Sequence, residues 1–210
     1  WKLSQEIADP IHRPLVEYIY LETDQASVPI SSDIVLSSLA IENISASRKA
    51  VEADISATTQ WLSGQTFPDN VFNGAGGSPV LGRMTLWDRA NRKDFILALQ
   101  SAQNRLTTHS VEKPLVYVVG SLGGGTGSGI FLDVAYMIRD ALANQVELHG
   151  LFMVPNLGLT DDVIYSNTVC SLKELDYYME NNSFPFKWSA IPPCGYQAEN
   201  KPYELVQIIS

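Results

Sequence analysis

The sequence predicts an α/β fold, in which a Rossmann-like parallel sheet is flanked by helices. Short runs rich in β-branched and aromatic residues alternate with segments of helical periodicity, an alternation typical of parallel strands joined by crossover helices. In the clearest unit, LVYVVGSLGGGTGSGIFLDVAYMIRD at residues 115–140, an apolar strand enters a glycine cluster and then a helical pattern. The 210 residues, 45% hydrophobic and 18% charged, suit a single domain over 1–210.

The first half of the chain contains one strong strand pattern. Residues 15–21, LVEYIYL, predict a strand whose acidic end includes Asp24. Residues 1–9 have the pattern of the end of an amphipathic helix, and the polar, Ala- and Ser-rich residues 31–60 predict helical segments. An acidic residue at the end of a strand lies where open α/β sheets bind ligands, although an ordinary turn residue is an equal alternative for Asp24.

The second half of the chain alternates regularly between helix and strand. A helix is predicted by the apolar face formed by Phe95, Leu99, Ala102 and Leu106. The elements predicted after it are a strand at 115–119, a helix at about 130–143, a strand at 146–154, a helix at 163–179 and a strand at 205–209. This order favours one parallel sheet rather than separate all-α and all-β parts.

Residues 123–129 form the densest glycine cluster of the chain. It consists of Gly123, Gly124, Gly125, Thr126, Gly127, Ser128 and Gly129. Glycine lets backbone N–H groups come close to a ligand, and the start of the following helix offers free N–H donors and the positive end of its dipole. The cluster therefore predicts a loop that binds an anion such as phosphate. A flexible linker or an empty turn is a weaker alternative, because a strand and a helix flank the cluster directly.

Spacing excludes two other glycine-rich phosphate loops. The P-loop needs Gly-Lys-Ser/Thr at its end, and no lysine lies between Lys113 and Lys173. The dinucleotide motif G-x-G-x-x-G fails in every register, since its last position falls on Ser128, Ile130 or Leu132. An enzyme that uses a nicotinamide or flavin dinucleotide is therefore only a weak alternative.

A second glycine cluster precedes another predicted helical region. It consists of Gly74, Ala75, Gly76 and Gly77 and is followed by Arg83. Alone, this cluster is a weak signal, but together with the first it suggests two loops that close on one polyphosphate. Arg83 has two interpretations, as a residue that neutralises phosphate charge or as an exposed surface residue.

The acidic composition limits the classes of partner. A net charge of −9 argues against nucleic-acid binding through phosphates and against docking on an anionic membrane surface. Cys170 and Cys194 are too few for a disulfide framework, so free thiols in a reducing compartment are expected. We find no secretory leader pattern and no apolar run of membrane-spanning length. We therefore expect a cytoplasmic protein without nucleic-acid or membrane partners.

The residues 123–129, Gly-Gly-Gly-Thr-Gly-Ser-Gly, resemble the signature of the tubulin/FtsZ superfamily. That family places the signature between a central parallel strand and the next helix, as the pattern here does. Gly74 to Gly77, followed by Leu-Gly-Arg at residues 81–83, is similar to the corresponding loop of the bacterial tubulin-like proteins. The resemblance implies a nucleotide-binding domain with GTP or GDP and Mg²⁺ as its ligands.

The resemblance also implies a role for each part of the site. Residues 123–129 would contact the α- and β-phosphates, and Gly74 to Gly77 would contact the γ-phosphate. Asp24, at the acidic strand end, would hold Mg²⁺. Asp161 or Asp162 would contact the ribose hydroxyls.

The family pattern includes parts for which residues 1–210 contain no counterpart. These parts are the first strand with its phosphate loop, the base-reading segment with the central helix, and the loop that activates water, so we expect an incomplete domain. For the full-length protein the resemblance implies head-to-tail self-polymerisation and GTP hydrolysis at the subunit interface, as in a cytoskeletal GTPase. The catalytic residue is unknown, and this fragment alone is expected to be inactive. The alternative is a non-polymerising tubulin-like nucleotide-binding or scaffold module.

Overall fold

The described part of the chain begins with two strands, continues with three successive α-helices and then alternates between strand and helix. The computed structural model describes residues 16–27, 34–54, 62, 64–109, 113–142, 145–156, 158, 161–181 and 201–210. Its elements are β1 (Tyr18–Glu22), a short 3-10 helix (Gln25–Ser27), β2 (Ile34–Ser38), α1 (Ile44–Asp54), α2 (Pro79–Trp87), α3 (Arg89–Thr108), β3 (Leu115–Ser121), α4 (Gly125–Ala141), β4 (Glu147–Met153), α5 (Asp162–Glu180) and β5 (Leu205–Ile209). The helix predicted at residues 1–9 lies outside the described residues.

The strands pair in parallel in two groups. β1 pairs with β2, and β3, β4 and β5 form a second sheet in that order. Tyr117, His149 and Leu205 lie side by side across the three strands of the second sheet. Parallel strands joined by helices confirm the predicted α/β fold, and the strands predicted at 115–119, 146–154 and 205–209 are confirmed with small shifts of their ends.

Residues 31–60 differ from the prediction of helical segments alone. Ile34–Ser38 is the strand β2, whose pairing with β1 decides the conformation of a short run that begins with two β-branched residues. The helix α1 begins only after Asn43, whose Oδ1 accepts the N–H of Ala46 at 3.0 Å and caps the first turn. The helical prediction is therefore right for α1 and wrong for β2.

Helix α4 begins earlier than its apolar pattern predicts. The pattern indicates a start near Ile130, whereas the helix begins at Gly125 and contains the second half of the glycine cluster. Glycine is a poor helix former, but here the backbone of α4 lies directly against that of α2. A Cβ added at Gly129 would lie 2.2 Å from the carbonyl oxygen of Pro79, and one added at Gly82 would lie 2.3 Å from that of Gly125. Close packing of the two helices therefore requires glycine at these positions.

The hydrophobic core is built around α4. Every residue of α4 from Ile130 to Arg139 is buried, and the helix contacts β3, α2, α3 and α5. On one side of α4 the ring of Phe152 packs edge-on against those of Phe131 and Tyr203, with ring centroids 5.5 Å apart in both pairs. This buried helix fixes the glycine segment at its own start.

Exposed apolar side chains in the described residues lie both on the strands of the second sheet and on the helices α3 and α5. On β3, Leu115, Tyr117 and Val119 are 49, 55 and 58% exposed, while Val116 and Val118 pack against the core. This alternation shows that one face of β3 is covered by the core. Among the described helices, none combines the length and the apolar content that crossing a bilayer requires.

Candidate functional site

The candidate site lies where β3 passes into α4. Only residues 122–124 separate the end of the strand from the start of the helix. Gly124 is the N-cap, with an extended backbone (φ −84°, ψ 169°), and no side chain caps this helix. The N–H groups of Gly124, Gly125, Thr126 and Gly127 therefore have no acceptor within the helix. An uncapped helix start with the positive end of its dipole favours the binding of an anion.

A second helix start, that of α2, follows the other glycine cluster. Ser78 is its N-cap, where the hydroxyl accepts a first-turn N–H at 3.3 Å, and Pro79 is its first helical residue. The preceding loop has left-handed backbone angles, with φ of 85° at Gly74, 57° at Gly76 and 75° at Gly77. Residues with side chains rarely adopt such angles, so the glycines shape this loop.

The two glycine clusters are in backbone contact. A Cβ added at Gly125 would lie 2.6 Å from the nitrogen of Ser78 and 2.9 Å from the carbonyl carbon of Gly77. Gly125 is buried by this contact, whereas Gly76 and Gly124 are exposed. The structure therefore brings the two clusters that were predicted to share a ligand to one place.

The carboxyl end of β1 completes one side of the site. The Oγ1 atoms of Thr23 and Thr126 lie 2.6 Å apart, and the carbonyl oxygen of Thr23 accepts the N–H of Gly74 at 3.2 Å. The Cβ of Asp24 would lie 3.7 Å from a Cβ added at Gly74, and Asp24 Oδ1 accepts the N–H of Ala26 at 3.0 Å. Asp24, the predicted metal ligand, thus lies beside the loop that was predicted to contact the γ-phosphate.

The end of β1 is also a negatively charged edge. Glu22 turns back on its own strand end, where its Oε1 accepts the N–H groups of Thr23 at 2.7 Å and Asp24 at 3.0 Å. Burial raises the pKa of Tyr20, and the carboxylates of Glu22 and Asp24 raise it further. A cation is therefore favoured at this edge, and an anion at the adjacent helix starts.

The start of α5 also lies beside the glycine loops. Asp161 is its N-cap, with Oδ1 accepting the N–H of Ile164 at 2.8 Å, and Asp162 is in its first turn. Both carboxylates are exposed. The helix reaches the site directly, because a Cβ added at Gly77 would lie 3.3 Å from Cγ1 of Val163. The two candidate ribose ligands therefore lie at the margin of the glycine loops.

Arg83 forms an ion pair with Asp133 of α4. Its Nε lies 2.7 Å from Oδ2 of Asp133, and its Nη2 donates to Oδ1 at 2.9 Å. The side chains are 20% and 3% exposed, respectively. The interpretation of Arg83 as an exposed surface residue is wrong, because this two-point ion pair joins α2 to α4 and Asp133 balances its charge.

Two polar residues of the site were not predicted from the sequence. Thr23 contacts Thr126, and Asn167 Nδ2 donates to the carbonyl oxygens of Gly77 at 2.8 Å and Gly123 at 3.1 Å. The contact of Thr23 could have been predicted from the sequence, because Thr23 follows a strand and the carboxyl ends of parallel strands meet at one edge of a sheet. The role of Asn167 could not, because a polar residue on a half-exposed helix is ordinary.

Comparison with known proteins agrees with this architecture. A family model described as tubulin like matches residues 2–210, a span that includes both glycine clusters and all the described elements. No curated protein matches the chain. Parallel strands flanked by helices are the fold that the resemblance of residues 123–129 implies. This chain belongs to the tubulin-like family.

Proposed function

We propose that this chain binds GTP or GDP together with Mg²⁺, as the nucleotide-binding domain of a cytoskeletal protein that polymerises head to tail and hydrolyses GTP at the subunit interface. The observation that carries the proposal is the uncapped start of α4, against which the loop Gly74–Gly77 and the start of α2 are packed. A chain with a net charge of −9 needs local positive potential to hold a polyphosphate, and helix starts supply it.

Backbone groups carry the proposed phosphate contacts. The N–H groups of Gly124 to Gly127 would hold the α- and β-phosphates, and the loop Gly74–Gly77 would hold the γ-phosphate. The hydroxyl groups nearby have partners already, since Thr126 pairs with Thr23 and Ser128 donates to the carbonyl oxygen of Gly124. The side chains of Thr126 and Ser128 therefore support the loop, while the backbone binds.

Mg²⁺ fits the same arrangement through Asp24. Protein sites for Mg²⁺ often supply one or two carboxylates and leave the remaining positions to phosphate oxygens and water. Among the described residues, no three His, Cys, Asp or Glu side chains gather into a metal cage, and Asp24 is a single carboxylate beside the γ-phosphate loop. Bound there, the ion would neutralise phosphate charge. The exposed carboxylates of Asp161 and Asp162 would contact the ribose hydroxyls, although Asp161 also caps α5 through Oδ1.

The identity of the nucleotide is tested directly. Protein purified without added nucleotide is denatured, and the released small molecules are identified by mass. We expect GDP or GTP, and titration of the emptied protein with GTP, ATP and NAD should show binding of GTP alone. Release of a dinucleotide, or equal affinity for ATP and GTP, would contradict the proposed ligand.

Polymerisation is tested on the full-length protein. Sedimentation with a non-hydrolysable GTP analogue should pellet the protein, and GDP should leave it in the supernatant. Because the proposed hydrolysis occurs between subunits, the GTPase rate per molecule should rise steeply with protein concentration. A rate that stays at zero at all concentrations, with nucleotide bound, supports the non-polymerising scaffold module instead.

The proposal includes a cytoplasmic location, which the free thiol of Cys170 supports.

A further inference from the structure

One side chain joins the two glycine clusters by hydrogen bonds. Asn167, on α5, donates from Nδ2 to the carbonyl oxygen of Gly77 at 2.8 Å and to that of Gly123 at 3.1 Å. Carbonyl oxygens only accept, so only the amide nitrogen with its two hydrogens can serve both of them. Asn167 is half-buried. The amide therefore fixes the position of each cluster relative to the other.

The face of α5 around Asn167 packs against the same two clusters. One turn before it, Cγ1 of Val163 would lie 3.3 Å from a Cβ at Gly77, and Cγ2 of Ile164 would lie 2.9 Å from a Cβ at Gly123. Thr168 also lies on this face, but its hydroxyl donates to the carbonyl oxygen of Ile164 within the helix. Packing holds α5 against the loops, and Asn167 adds the directional link between them.

We propose that Asn167 is a positioning residue that sets the spacing of the two loops and so favours a nucleoside triphosphate over a diphosphate. This inference rests on the proposed function. A diphosphate needs only the loop at the start of α4, whereas a triphosphate must contact both loops at once. Holding the loops at the required spacing before binding removes part of the ordering cost for the triphosphate.

The expected effect of removing the link is selective. Leucine at position 167 keeps the size of the side chain and removes both donors. Loss of one or two hydrogen bonds should weaken binding of a non-hydrolysable GTP analogue about tenfold, while GDP affinity changes less than about twofold. Asn181→Leu is the matched control, because Asn181 Nδ2 donates at 2.8 Å to the carbonyl oxygen of Tyr177 at the far end of the same helix. This control should leave both affinities unchanged.

Both variants are titrated with the GTP analogue and with GDP in the presence of Mg²⁺, using the full chain. If Asn167→Leu loses the same factor of affinity for both nucleotides, Asn167 is merely structural and the proposal is overturned. The proposal is also overturned if neither affinity changes, since the ratio of the two affinities is then that of the wild type. Thermal unfolding without nucleotide verifies that each variant is folded.

A second measurement does not depend on nucleotide. Hydrogen exchange of the amides in residues 74–78 of the nucleotide-free protein should be faster in Asn167→Leu than in Asn181→Leu. Unchanged exchange contradicts the link itself. If the wild-type chain binds neither nucleotide, the proposed function and the selectivity of Asn167 fail together, and the exchange data alone decide whether the link exists.

Discussion

The Oγ1 atoms of Thr23 and Thr126 lie 2.6 Å apart and tie the carboxyl end of β1 to the first turn of α4. Thr23 is fully buried, and its hydroxyl also donates a longer hydrogen bond, of 3.5 Å, to Oε1 of Glu22. Thr23→Val keeps the shape of the side chain and removes the hydrogen bond, and we expect the free energy of unfolding to fall by about 1 kcal/mol. Urea denaturation measures the change.

Thr107→Val is the control for the first prediction. The hydroxyl of Thr107 donates to the carbonyl oxygen of Gln103 on an exposed helix face. Its loss should change the free energy of unfolding by less than about 0.5 kcal/mol. Equal effects of the two substitutions would mean that the buried Thr23–Thr126 contact contributes nothing of its own.

Gly124→Ala should separate nucleotide binding from folding. A methyl group at Gly124 has no neighbour within 4 Å, and its φ of −84° suits alanine, so the unfolding free energy should hardly change. The methyl group would stand beside the proposed phosphate position, and we expect GTP affinity to fall by about tenfold or more. Calorimetric titration measures the affinity. A folded Gly124→Ala variant with wild-type affinity is incompatible with phosphate at this loop.

Gly125→Ala is the contrasting variant at the neighbouring position. Its Cβ would lie 2.6 Å from the nitrogen of Ser78, so this substitution should disrupt the packing of α2 on α4. Lost nucleotide binding in Gly125→Ala would therefore reflect disrupted helix packing. The contribution of the phosphate loop to binding is isolated only by comparing Gly125→Ala with Gly124→Ala.

Gly76 tests the backbone shape of the second loop. Its φ of 57° lies in the left-handed region, and a Cβ there would have no neighbour within 4 Å. Gly76→Ala should therefore cost about 1 kcal/mol of unfolding free energy through backbone strain alone. Gly76→Asn should cost less, because asparagine tolerates this region better. Chemical denaturation of both variants gives the comparison, and equal costs would refute the assignment to strain.

The Arg83–Asp133 pair should be costly to break. Asp133→Ala removes the two-point ion pair from a largely buried guanidinium, while the carboxylate of Glu174 remains near it, and we expect a loss of about 2 kcal/mol in unfolding free energy. The control is Glu52→Ala, which breaks the Arg48–Glu52 pair, whose side chains are 32% and 39% exposed. That loss should be about 0.5 kcal/mol. Similar losses at the two sites would show that burial does not strengthen the dependence on the partner.

Glu204 should make stability depend on pH. Burial opposes ionisation, but the N–H of Leu148 at 2.7 Å and the guanidinium of Arg139 at 3.0 Å outweigh it and lower the pKa of Glu204. A lowered folded-state pKa contributes stability above the unfolded value of about 4.3, and the contribution disappears as pH falls through the folded value. Glu204→Gln should therefore lower stability near pH 7, by less than about 1 kcal/mol because Glu204 is partly exposed.

The Glu204 prediction is checked by denaturation of wild type and Glu204→Gln between pH 3 and pH 7. The difference in unfolding free energy between the two proteins should shrink as the solution becomes more acidic. A difference that stays constant over this range would argue against the ion pair as its source.

The sequence predicted the parts of the site that are local in the chain. The strand, the glycine cluster and the helix at residues 115–140 are adjacent, so their types and order followed from composition and period. The start of α4 was not predictable in this way. Glycine has low helix propensity, and only the backbone contacts of Gly125 and Gly129 with α2 show why the helix extends through the cluster.

Contacts between distant segments account for the other differences. β2 was not predicted because its conformation depends on pairing with β1, and its short apolar run lies in a polar segment. Thr23 and Thr126 are 103 positions apart, and Asn167 is 90 positions from Gly77. A local sequence pattern cannot indicate a contact between residues so far apart in the chain. The residues that hold the two loops together were therefore identified only from the structure.

Because α2 and α4 touch backbone to backbone at Gly82, Gly125 and Gly129, the pair has few degrees of freedom. Sliding or rotating one helix would drive main-chain atoms into each other, and no flexible side chain lies between them to absorb the shift. The starts of α2 and α4 are therefore fixed relative to each other. A difference between bound nucleotides should then appear as displacement of the Gly74–Gly77 loop relative to the two helices, and Asn167 and Val163 are the contacts through which such a displacement reaches α5.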